Sequence, residues 1–184
     1  MASKINLISN ALILIGDTPI NSLTGGERRQ QVASNLYDNI VQAELAKHRW
    51  GFARRKAQLS KLTAAPIEEW RTAYQLPTDL LALIKLSIST PYQIYGSKVY
   101  ANVSGALYCD YIANVDESEW PVYFAKMIEY ALASDFAASI RDDSSAQQEM
   151  NAKYINQSRM ARATDSQQHP QTPIVDRPFI DVRG

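Results

Sequence analysis

The chain has 184 residues, 19 basic and 19 acidic side chains, zero formal net charge and 46% hydrophobic residues. That is ordinary globular usage, with length enough for one domain and a sizeable core. The charge balance argues against binding nucleic acid by bulk positive charge, and a single cysteine, Cys109, excludes an internal disulfide and a cysteine-rich zinc site.

Residues 3–16 are predicted as a first helix. Ser3 suits its N-cap, and Ile5, Ile8, Leu12 and Ile15 recur at helical spacing, with Leu7 and Leu14 widening the apolar face. Gly16 suits the left-handed position that ends a helix, and Pro19 blocks its continuation. Residues 17–26 read as a loop. Residues 27–48 read as a longer helix, with Val32, Leu36, Ile40 and Ala43 as its stripe and His48 complementing the dipole at its end. Gly51 then breaks the chain between Trp50 and Phe52.

From residue 53 to 115 prolines punctuate short apolar runs and β-formers become common. Leu80 to Ile88 reads as a strand, although Leu80-Leu81-Ala82-Leu83 suits a helix equally, and Leu107 to Val115 reads as another strand. Between them, Tyr92–Tyr95, Gly96-Ser97 and Lys98–Ala101 read as a hairpin on a type II′ turn. Residues 117–140 read as a third helix, apolar nearly all round and therefore central to the core. Residues 144–164 form a mostly polar fourth helix, capped by Asp142 or Asp143. Residues 165–184, interrupted by Pro170, Pro173 and Pro178, read as an extended arm whose apolar pairs Ile174-Val175 and Phe179-Ile180 suit docking on a partner.

The expected fold class is mainly α (α+β). It is an antiparallel bundle of about four helices with a small inserted antiparallel β-sheet or hairpin and an extended C-terminal arm. A single domain would span 1–164, with a helical body at 1–52 and 117–164 and a β insert at 53–115. The run Ala11 to Ile15 is too short for a bilayer, so no membrane association is expected, and folding in a reducing cytoplasm is.

No catalytic, cofactor-binding or metal-binding residues emerge, and no enzymatic role is expected. His48 and His169 lie in no nucleophile motif. Asp116-Glu117 and Asp142-Asp143 lack calcium-loop spacing and read as helix caps. Cys109 sits in an apolar run and reads as a buried thiol. Arg54-Arg55-Lys56 is the one dense basic run, read as a solvated edge or as a contact to a carboxylate on another subunit. Tyr92, Tyr95, Tyr100, Tyr108 and Tyr111 suit cross-strand pairing, and tyrosine also suits interfaces.

Five segments, in order, resemble the head-to-tail adaptor (connector) family of tailed phages, which includes the tail tubular protein A of short-tailed phages. They are Ala11-Leu12 with Ile15-Gly16, Pro19-Ile20 and Ser22-Leu23; Trp50-Gly51-Phe52-Ala53; Trp70 and Tyr74 before Leu76-Pro77-Thr78-Asp79; Leu107 to Ile112; and Pro121, Phe124, Ala131, Ala133 and Ala137. The resemblance implies a structural virion protein that forms a ring, a dodecamer in relatives, beneath the portal protein. Such a ring extends the DNA channel, passes DNA without sequence-specific binding, and offers a platform to tail or nozzle proteins. It places the protein in the virion neck. On this reading the arm residues Ile174, Val175, Arg177, Phe179 and Ile180 contact the portal, and Arg54, Arg55, Tyr92, Tyr95 and Tyr100 lie at a subunit or tail interface. The alternatives are a connector or stopper of a long-tailed phage, and a cellular helical protein-binding module.

Overall fold

Residues 2–63 and 69–168 are described by a computed structural model of the chain. The Ser3 hydroxyl accepts from the Asn6 N–H and caps α1, Lys4–Leu14. Gly16 follows at φ 74, where a side chain would be strained. Arg141 donates to the Ile15 carbonyl, satisfying an orphan acceptor of the helix end from a distant part of the chain. Helix α2, Arg28–Ala46, delivers the chain, through Trp50 and Gly51, to the first strand.

Six strands follow: β1 Arg54–Lys61, β2 Thr72–Gln75, β3 Leu80–Leu86, β4 Tyr92–Tyr95, β5 Lys98–Ala101 and β6 Leu107–Ala113. They form one antiparallel sheet in the order β3-β6-β1-β2-β5-β4, curled into a half-barrel. The hairpin is as the sequence predicts, with Gly96 at φ 57 as a type II′ corner requires. The size of the sheet is not. A mainly helical bundle carrying a small hairpin is overturned: the described residues combine four α-helices with a large curled sheet.

The reason lies in β1. Its residues Arg54, Lys56, Gln58 and Ser60 alternate with Arg55, Ala57, Leu59 and Lys61, so only a short apolar stripe marks it. Its stability comes from pairing instead. Arg54 to Leu59 pair with Ile112 to Leu107, and the strand then runs on so that Ser60 and Lys61 pair with Gln75 and Tyr74. One polar strand thus fuses two hairpin-sized ladders into a single sheet.

Glu117–Glu119 is a single 3-10 turn, and α3, Val122–Ser139, starts only after Pro121. The chain before Pro121 cannot be α-helical easily, because proline crowds the residue that precedes it. Helix α3 buries Phe124, Met127, Ile128, Leu132 and Phe136 and packs against α1, α2 and α4, the central place expected of an all-round apolar helix. Asp143 accepts from the Ser145 and Ala146 N–H groups at 3.0 Å and caps α4, Ser144–Gln167. That helix continues past residue 164, so residues 165–167 belong to it and not to an extended arm.

Helices and sheet share one apolar core, in which Leu59, Tyr74, Val99 and Leu107 of the strands join the helical residues. An aromatic corner stitches the layers: Phe124 has Trp50, Phe52 and Trp120 within 5.1 Å, ring centre to ring centre.

Candidate interaction surface

Cross-strand pairing sets a charged cluster on one face of the sheet. Lys56 of β1 and Lys85 of β3 both stand opposite Asp110 of β6. The Asp110 carboxylate lies 3.2 Å from Arg54 Nη2, 3.5 Å from Lys85 Nζ and 3.9 Å from Lys56 Nζ. Burial opposes its ionisation, but the Arg54 hydrogen bond and the two lysine charges outweigh burial and hold it below the usual carboxylate range. Arg55, pointing to the other face, pairs with Glu119 and donates to the Phe52 carbonyl at 2.8 Å. Both arginines therefore satisfy carboxylates of their own chain, which a contact to another subunit does not require.

The tyrosines lie elsewhere. Strand β4 is an outer strand, and all its residues are exposed, including Tyr92, Ile94 and Tyr95. Tyr95 meets Tyr100 edge-on at 5.6 Å, but Tyr100 is itself buried and offers little to a partner. Two strands, β2 and β5, separate β4 from β1, so the arginines and tyrosines do not form one patch. Tyr111 is inward and donates to Asp79 at 3.2 Å, while Tyr108 is exposed. The arm residues Ile174, Val175, Arg177, Phe179 and Ile180, with His169, lie outside the described residues.

Three polar anchors escaped the sequence reading. Asp165, near the end of α4 and 2% exposed, accepts from the Gly51 N–H at 3.0 Å and the Tyr123 hydroxyl at 2.9 Å. Its Oδ2 also lies 3.9 Å from Nε2 of His48, whose ring stands edge-on to Trp50. Glu44 on α2 is buried, pairs with Lys47 and accepts from Tyr154 of α4 at 2.9 Å. Glu117 accepts from Tyr37 at 2.9 Å and makes no helix cap, which corrects the reading of Asp116-Glu117 as capping residues. Each anchor joins positions far apart in sequence, so no local spacing marks it.

Hollows border the Glu44 and Asp165 anchors. A groove of 340 Å³ between α2, α3 and α4 contains Glu44, Lys47, Asp135 and Tyr154, and burial raises the Asp135 carboxyl. A cleft of 380 Å³ lies between the end of α2 and strand β3, with Leu83, Ile84 and Ile112 as its floor and Lys47, His48 and Arg49 on its rim. Cys109 is buried on β6, and burial pushes its thiol up, away from nucleophilic thiolate. Among the described residues no cluster of His, Cys, Asp and Glu gathers to hold a metal ion, and no helix is long and apolar enough to cross a membrane. No protein-family model matches the chain, and no curated protein matches it in sequence.

Proposed function

We propose that the chain is a structural head-to-tail adaptor of a tailed phage, assembling as a ring beneath a portal protein and receiving tail proteins below. The reading is carried by the ordered series of five family-like segments. In the fold these segments occupy junctions where a substitution would be costly. Gly16 takes a positive φ, Trp50 and Phe52 build the aromatic corner, and Asp79 in the turn before β3 receives Tyr111. The Pro121 to Ala137 segment supplies the central helix.

A ring subunit needs surface to offer its neighbours. Strand β4 supplies a candidate: the outer strand of the described sheet, with Tyr92, Ile94 and Tyr95 exposed. Tyrosine serves such contacts because the ring packs while the hydroxyl keeps a polar partner.

The test is negative-stain microscopy of the purified chain, alone and mixed with portal rings from the same phage. The expected result is an added ring of density on the portal. Bare portal rings at saturating chain concentration reject the adaptor role and bring the cellular binding module forward.

A further inference from the structure

Strand β3 is a sheet edge of an unusual kind. Its first five residues, Leu80-Leu81-Ala82-Leu83-Ile84, are all apolar and all only half-buried. Such an edge invites covering, because its apolar side chains are only partly covered by the core and its outer backbone groups meet no strand among the described residues. The cleft along it has an apolar floor and a cationic rim. Lys47 is engaged by Glu44, and His48 neighbours Asp165. Arg49 is exposed and makes no ion pair among the described residues. The cleft therefore suits an apolar pair followed at once by an acid.

The chain carries that pattern beyond its described residues. Ile174-Val175-Asp176 and Phe179-Ile180-Asp181 both read apolar, apolar, acid. The described chain also ends beside the cleft. Asp165 lies 3.9 Å from His48 on the rim, and Gln168 follows it by about one helical turn, roughly 5 Å. From Gln168 the backbone to Ile174 spans at most about 20 Å, which favours the nearer of the two pairs.

We propose that Ile174-Val175-Asp176 docks in the β3 cleft of its own chain, with the two apolar side chains over Leu83 and Ile84 and Asp176 against Arg49. The tether makes this contact intramolecular, so a small apolar area suffices where a free peptide of the same sequence binds weakly. Docking covers the β3 edge and withholds the segment from any other partner. The contact is a property of the single chain and does not depend on the adaptor reading.

The test is methyl NMR on the full chain. Nuclear Overhauser contacts are expected between the Ile174 or Val175 methyls and those of Leu83 or Ile84, unchanged on tenfold dilution. Arg49→Glu is expected to weaken them several-fold, and Asp176→Arg in that background to restore them. Amide spectra that stay dispersed establish that each variant is folded. Contacts that vanish on dilution would assign the cleft to a second copy and overturn the proposal. So would contacts from Phe179 and Ile180 in place of Ile174 and Val175, or no contact at Leu83 and Ile84 at all.

Discussion

Asp165 shows how much one side chain can hold. A carboxylate at 2% exposure receives the Gly51 N–H and the Tyr123 hydroxyl, tying the end of α4 to the start of α3 and to the turn entering the sheet. Truncation removes two hydrogen bonds that a buried carboxylate accepts from half-buried donors, which costs about 3 kcal/mol in all. Asp165→Ala should therefore lower the unfolding free energy by that amount, read as a lower urea midpoint at an unchanged slope, and a loss below about 1 kcal/mol would show that water replaces the carboxylate. The residue was not legible as an anchor in sequence. It lies 114 positions from Gly51, and its polar neighbours Thr164 and Ser166 give no signal of burial.

At the scale of elements, the turns are where sequence and structure agree most closely. Gly16 and Gly96 both take positive φ, and both follow from local chemistry: a helix needing a stop, and a two-residue hairpin needing a first corner. Their surroundings differ. A Cβ on Gly96 meets nothing within 4 Å, whereas one on Gly16 lies 2.8 Å from Arg141 Nη1. Gly96→Ala should thus cost the backbone strain alone, about 1–2 kcal/mol. Gly16→Ala should cost about 1 kcal/mol more, because Arg141 must leave the Ile15 carbonyl. Measured by chemical denaturation in an Arg141→Ala background, the two substitutions should become equal. A persisting gap would place the difference elsewhere than in Arg141. The helices were legible for similar reasons, through Ser3, Asp143 and the apolar faces of α1 and α3. Strand β1 was not, because its stability comes from Ile112 to Leu107 across the ladder and not from its own apolar content. The charge cluster stayed hidden with it, since Asp110 meets Arg54 and Lys56 only once that ladder exists.

For the whole molecule, buried phenols set the response to alkali. Burial, then the neighbouring carboxylate, raises Tyr37 beside Glu117 and Tyr123 beside Asp165 well above the ordinary tyrosine range. Burial and Glu44 act the same way on Tyr154. A raised folded-state pKa means the native chain holds protons that the unfolded chain releases. Stability is therefore intact below about pH 10 and falls as pH rises beyond it. The opposite sign applies to Asp110, whose lowered carboxyl contributes stability above about pH 4 that is lost on acidification. Denaturation midpoints across pH should fall at both extremes, and Tyr37→Phe should shallow the alkaline limb only. An alkaline limb unaltered by Tyr37→Phe would rule out that phenol as a contributor.

The place of β6 has a further consequence for how the chain comes into being. Among the described strands it is the last synthesised, yet it lies between β3 and β1, both made earlier. On the ribosome, β1 and β3 must wait with their pairing edges open until residues 107–113 emerge. The hairpin β4–β5 can close at once, but the half-barrel cannot. Its assembly is governed by sequence-distant pairings, which form slowly because chain closure precedes their reward. During that interval the apolar run Leu80 to Ile84 is the segment most in need of shelter from other nascent chains, and the helix that completes the core, α3, arrives only afterwards.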